Sequence, residues 1–265
     1  MLAYDFEYDG LLLSDKGFVI CHFDGNSGFN TISAGSQITF NKVKTLGGAK
    51  FEQTSSTYEE CLTSTIQICK NTCETNESTI TLDEYRELMK WLNRKTFHKF
   101  KIIDDDYVGV YFEASFNISR IEMGGKLVGL ELAMETNRPF ALQEPRTITI
   151  NNTESNGKKT VVDFSDEEGY CYPKTVITCK SDGDLTIYNA LEARTVLIKG
   201  CISGEVITMD YPVISTSVES HKIQEQFNWN FLRLANNYKQ KENDLTISIP
   251  CIIEMTYSPV IKVSF

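Results

Sequence analysis

Histidine is scarce, basic charge is outnumbered and no apolar run is long, and each shortage removes a class of function. Only three histidines occur, His22, His98 and His221. They lie far apart in the chain, with neither the H-x-x-x-H spacing of a zinc-binding helix nor a G-x-S-x-G nucleophile elbow. His22, on an apolar stretch, reads as a satisfied core residue. Lys and Arg number 26 against 36 Asp and Glu, a formal charge of -10 and a pI near 4.9. Duplex binding is driven by cationic side chains releasing counterions from phosphates, so no specific nucleic-acid binding is expected. The densest basic stretch, Arg94-Lys95 with Lys99 and Lys101, is interleaved with Phe97 and Phe100 and reads as the solvent edge of a strand. The longest apolar stretches, such as Ile249 to Ile253, fall far short of the roughly 20 residues that cross a bilayer, so no membrane span is expected. The opening Met1-Leu2-Ala3-Tyr4-Asp5-Phe6-Glu7 has no basic or long apolar segment and does not read as a signal peptide. No repeat of fixed period and no low-complexity tract is present, which argues against solenoids and propellers.

What is present is ordinary globular composition, 41% hydrophobic and 23% charged over 265 residues, enough chain to bury about 70 to 75% of its unfolded surface in one core or two. Eight cysteines (Cys21, Cys61, Cys69, Cys73, Cys171, Cys179, Cys201, Cys251) are scattered through it. A chain of this size does not need disulfide staples, so most read as reduced, buried and inert. The three glycosylation-type triplets beginning at Asn76, Asn117 and Asn151 read as chance.

Turn chemistry at Asp9-Gly10, Asp24-Gly25, Gly28 and Gly35 divides the first forty residues into short strands. Phe18 to Phe23, apolar on both faces, reads as a central or doubly covered strand. One helix is expected near 82–93. Thr81 with Glu84 forms a capping box, and Leu82, Tyr85, Leu88, Met89 and Leu92 make an apolar stripe. Strands follow at Phe97–Ile103, Tyr107–Phe112 and Glu113–Met123, with Asp104-Asp105-Asp106 as a turn and Gly124-Gly125 closing a hairpin. On the return strand Val128, Leu130, Leu132 and Met134 are expected to share the apolar face. Arg138-Pro139 and Glu144-Pro145 punctuate the chain, which places a domain boundary at about Gln143, giving units 1–142 and 143–265. The second half holds eight strand candidates: Thr147–Ile150, Val161–Phe164, Lys174–Cys179, Asp184–Tyr188, Thr195–Ile198, Glu205–Met209, Leu245–Ile249 and Ile252–Val263. That spacing fits a β-sandwich. The fold class is therefore all-β with one helix.

The residues that carry chemistry elsewhere carry little here. Cys69-x-x-x-Cys73 lacks a second close pair to complete a zinc tetrahedron, and Cys61 and Cys21 would join only if the fold gathered them. Asp104 to Asp106, and Asp163, Asp166, Glu167 and Glu168, lack calcium-loop spacing and read as turns. Trp91 lies beside the helix stripe, and Phe227-Asn228-Trp229-Asn230-Phe231 alternates so that three rings share a face, which reads as core packing. No catalytic, cofactor-binding or metal-binding residue is assigned, no cofactor is expected, and the chain does not read as an enzyme.

Several short motifs in order resemble the distal tail (Dit) proteins of long-tailed bacteriophages. They are Phe6-x-Tyr8-x-Gly10, Lys90-Trp91-Leu92 at the helix end, and Thr136-Asn137-Arg138-Pro139-Phe140-Ala141. Then come Tyr172-Pro173, Gly204 to Asp210, Phe231-Leu232-Arg233-Leu234, Asn243-Asp244-Leu245-Thr246-Ile247 and Met255-Thr256-Tyr257. The chain departs from that family in a longer polar loop, Asn236 to Glu242. The resemblance implies a split β-barrel first domain and a galectin-like β-sandwich second domain. It also implies a homo-hexameric ring at the virion tail tip, assembled in the bacterial host cytoplasm and connecting the tail tube to the baseplate or receptor-binding apparatus. The partners it implies are the major tail tube protein and a tail hub or tail-associated lysin, with tape-measure and receptor-binding proteins as further candidates. An acidic channel wall would suit such a ring, because DNA would pass without adhering. The alternative reading is a carbohydrate-binding sandwich module that grips a cell-surface glycan through surface aromatics.

Overall fold

The computed structural model describes residues 5–23, 36–45 and 50–263, apart from the side chains of Glu74 and Thr75. The expected turns at Asp24-Gly25, Gly28 and Gly35 lie outside the described residues. The chain divides into two compact units, one running up to Gln143 and regaining the chain from Ile261, the other spanning Glu144–Val260. Both are β-rich, and neighbouring strands along the main sheet paths pair antiparallel.

In the first unit the strands run side by side in the order Leu11–Leu12, Asp5–Tyr8, His98–Ile103, Val110–Met123, Lys126–Thr136, Thr63–Lys70, Phe18–Cys21. Among the described residues this path has two ends, so the sheet is open and closes no barrel. Its core is aromatic. Phe6, Tyr8, Phe100, Phe112 and Phe116 are buried, with Phe6 and Phe100 ring centroids 5.3 Å apart and Tyr8 edge-on to Phe116 at 5.1 Å. Burial pushes the Tyr8 phenol up to about 12, and its hydroxyl donates to Ala114 O.

The helix spans Leu82–Leu92 and starts as its capping box requires. Glu84 N–H donates to Thr81 Oγ1 at 3.3 Å and Thr81 N–H donates to Glu84 Oε2 at 2.7 Å. The stripe it buries differs from the expected one. Leu82 is 69% exposed, whereas Ile80, Leu88, Trp91 and Leu92 are buried. Trp91 is fixed by donating Nε1–H to Tyr8 O at 3.0 Å. Two single-turn helices, Thr72–Thr75 and Ile223–Gln226, were not expected.

Three expectations for strands are corrected. Phe18–Cys21 is the last strand of the path, not a central one, and His22 and Phe23 beyond it are exposed. The Phe23 ring instead lies over Gly129, where a Cβ would come within 2.4 Å of its Cζ. Tyr107–Phe112 and Glu113–Met123 are not separate strands; Val110–Met123 is one strand of 14 residues. On the return strand Leu130, Leu132 and Met134 face the core as expected, but a register shift between Ile121 and Glu122 reverses the parity beyond Gly129. Leu127 rather than Val128 therefore packs inward.

The second unit is a sandwich. One sheet runs Arg146–Asn152, Cys251–Tyr257, Lys174–Cys179, Val206–Asp210, Val213–Thr216. The other runs Gly157–Val162, Glu242–Ile247, Gly183–Asn189, Arg194–Cys201. Alternate residues of both point into one core: Ile150, Ile177, Ile207, Met209, Ile253 and Met255 from the first, Val161, Leu185, Ile187, Val196, Ile198 and Ile247 from the second. A third, two-stranded pairing joins Gly169–Cys171 to Leu234–Asn236. Asn243 locks it in place. Fully buried, it accepts from Asn189 Nδ2 and Ala235 N, and donates to Ala235 O and Lys241 O, which fills its amide's hydrogen-bonding capacity.

Candidate functional site

Of the residues that sequence reasoning weighed for chemistry, the fold brings Cys21 and Cys69 into side-chain contact on neighbouring strands. His98 has Thr96 Oγ1 at 2.8 Å from Nε2 and Asp9 Oδ1 at 3.6 Å from Nδ1, a hydroxyl–imidazole–carboxylate string. Asp9, however, is already committed to Arg94 Nη1 at 2.5 Å, and that guanidinium holds its carboxyl below the usual carboxylate range. His221 is buried beside Glu205, with Nδ1 2.5 Å from Glu205 Oε1 and Nε2 3.0 Å from Lys199 O. Both ring nitrogens are thus engaged within the fold. Among the described residues no group of three or more His, Cys, Asp or Glu is placed to hold a metal ion. Cys69 lies on a strand, opposite Val19, and Cys73 is exposed on a single-turn helix. Only Cys179, Cys201 and Cys251 are fully buried, fewer than expected. Asp104 Oδ1 accepts from Asp106 N and Asp163 Oδ1 from Ser165 N, so both acidic clusters shape turns.

What stands out instead is a surface built for contact. Ile38–Lys44 and Phe51–Tyr58 pair with each other and with no other strand among the described residues. Nearly every residue of this ribbon is exposed. Register places Ile38, Phe40 and Phe51 on one face with Tyr58, and Thr39, Asn41, Ser55 and Thr57 on the other. The polar face carries its own bonds, Asn41 Nδ2 to Ser55 Oγ at 2.9 Å and Thr39 to Glu59. The other face leaves the apolar Ile38 45%, Phe40 49% and Phe51 58% exposed, interspersed with Lys42, Lys44, Gln53 and Ser56. Its base is anchored by Tyr58 packed edge-on against Phe140 at 4.9 Å. A two-stranded ribbon is marginal in water on its own, and one with an uncovered apolar face is more so. Sequence reasoning missed it because Phe51–Tyr58 is Ser/Thr-rich and shows no hydrophobic alternation.

A second surface lies at one end of the sandwich, where the three rings read as core are split. Phe227 and Phe231 are 4% exposed, but Trp229 is 55% exposed. The segment is a loop, joined to the sheet by the Ile198–Phe227 bridge and by hydrogen bonds of Asn228 and Asn230 with Leu197 and Thr195, so its alternation is not that of a strand.

Two β-rich units, one carrying an exposed two-stranded ribbon, suit a structural assembly component. The comparisons with known proteins agree. Residues 1–138 match the family profile described as phage tail protein N-terminal domain, and residues 140–257 the one described as phage tail C-terminal domain. The chain belongs to this phage tail protein family and is a structural, non-enzymatic component of the virion tail. Its fold is that of a distal tail protein. The crystal structure of SPP1 Dit (gp 19.1), titled a paradigm of the hub adsorption apparatus in phages infecting Gram-positive bacteria, superposes with a TM-score of 0.66 at 12% identity, over 96% of this chain and 98% of that one. No curated protein sequence matches the chain.

Proposed function

We propose that the protein forms a homo-hexameric ring at the tail tip, connecting the tail tube to the baseplate or receptor-binding apparatus. The first unit supplies the ring contacts, and the second is left for other tail components. The observation that carries this reading is the Ile38–Lys44 and Phe51–Tyr58 ribbon, whose apolar face finds no cover within the described chain. A head-to-tail contact, in which each ribbon lies on the next subunit, covers that face and closes a ring when the rotation per subunit divides the circle. The fold shared with SPP1 Dit, from a hub adsorption apparatus, supports the same placement. The expected neighbours are the major tail tube protein and a tail hub or tail-associated lysin, then tape-measure and receptor-binding proteins, with assembly in the bacterial cytoplasm.

Sedimentation velocity of the full chain, alone and mixed with its tail tube and hub proteins, tests this. A species of six chains is expected in at least one mixture. A protein that stays monomeric in every mixture contradicts the reading.

A further inference from the structure

The aromatic end of the sandwich carries a second, independent inference. Tyr172 and Tyr211 stack with centroids 4.3 Å apart and planes 11° from parallel. Tyr170 meets Tyr172 edge-on at 5.5 Å, Phe231 meets Tyr211 edge-on at 5.3 Å, and Trp229 follows 6.4 Å from Phe231. The result is a continuous run of rings in which Tyr170 is 58%, Tyr211 56% and Trp229 55% exposed.

The presentation of Trp229 is built. Its φ of 58° is left-handed, a conformation that a bulky residue keeps only when its surroundings impose it. Its two neighbours impose it. Asn228 Oδ1 accepts from Leu197 N and Asn230 N, and Asn228 Nδ2 and Asn230 Nδ2 both donate to Thr195 O. The chain is thereby pinned on either side of an indole that is turned outward, against the ordinary preference for burying tryptophan. At the other end of the run Arg233 lies over the Tyr170 ring, 3.9 Å from its centroid, and is neutralised by Glu192 at 2.5 Å.

We propose that this run, Tyr170, Tyr172, Tyr211 and Trp229, is a binding site for a neutral carbohydrate of pyranose rings. Three features select that chemistry. Flat aromatic faces match the apolar C–H faces of pyranoses, and a series of rings matches a series of sugars. The Tyr170 and Tyr211 hydroxyls and the Trp229 indole N–H have no hydrogen-bond partner among the described residues, so polar tips on the rings are open to sugar hydroxyls. Arg233 is paired with Glu192 and Lys174 lies 3.9 Å from Asp210, so neither cation beside the run is left free to recruit an anionic polymer.

The test uses the full chain and two probes, cellotetraose and chitotetraose. Of its two tryptophans Trp91 is 5% exposed and Trp229 55%, so a saturable change in tryptophan emission on adding sugar reports Trp229. Titration calorimetry then compares variants. Trp229→Gly removes the ring while suiting the left-handed backbone, and both it and Tyr211→Ala are expected to weaken binding by up to about tenfold. Thermal melts confirm that the variants fold. Absence of binding by the wild type to both sugars overturns the proposal, as does unchanged affinity in both variants. If sugars do not bind but the same variants lose a tail-protein partner, the surface is a protein interface and the proposal is equally overturned.

Discussion

Gly157 has no room for a side chain, because a Cβ there would lie 1.9 Å from Asn152 Oδ1. Asn152 is fully buried and cannot retreat, since its Nδ2 donates to Glu154 O and Ile249 O, both at 2.8 Å. Its Oδ1 is the buried oxygen without a partner among the described residues, and the glycine opposite tolerates it. Gly157→Ala is therefore expected to destabilise the sandwich by about 1 to 3 kcal/mol, measurable by urea unfolding of the full chain. The Glu205–His221 contact makes a pH prediction. Burial opposes the charge on Glu205, but hydrogen bonds from Thr216, the Ile202 N–H and His221 outweigh it and hold the carboxyl below its ordinary value of 4.5. A depressed carboxylate stabilises the fold above its unfolded value, and that stability is lost as pH falls through the folded one. The melting temperature of the wild type should thus fall on acidification below about pH 4.5. Glu205→Gln should cost about 3 kcal/mol at neutral pH and flatten the acid slope. A variant with the same acid slope as wild type would rule out Glu205 as its source.

The helix is the element that the sequence specified most fully. Thr81 and Glu84 form the expected capping box, and Glu84 also reaches Lys70, a buried ammonium 2.8 Å away that Glu77 joins at 3.2 Å. Thr81→Ala is expected to cost about 1 kcal/mol. Glu84→Ala should cost more, because it removes the cap and strips Lys70 of its nearer partner; equal losses in the two variants, read by thermal melting, would contradict that coupling. Elsewhere legibility followed the period of the pattern. Lys174–Cys179 buries every second residue and could be read directly, as could the Gly124-Gly125 hairpin. Where one extra residue breaks the period, as at Val128, or where a loop imitates a strand, as from Phe227 to Phe231, local pattern assigns the wrong face. Trp91 and Trp229 show the limit. Each sits near an apolar pattern, and only the three-dimensional clamps, Tyr8 O on one and the paired asparagines on the other, decide which is core and which is surface. The ribbon was illegible for another reason, since its apolar residues answer to no core in the described chain.

For the molecule as a whole, the two units can be read as separate cores, one aromatic and one aliphatic, that leave recognisable surfaces exposed. Ring formation is the claim on which the functional account rests, and the ribbon is where it can be broken without touching either core. Mass photometry of the full chain with its tail tube and hub proteins, run beside a Phe40→Ser, Phe51→Ser double variant, measures it most directly. The account predicts particles of six times the 30.1 kDa chain mass for the wild type and their loss in the variant, which should retain the wild-type melting temperature. Wild-type chains that remain single in every mixture, or hexamers undiminished by the double substitution, would contradict it.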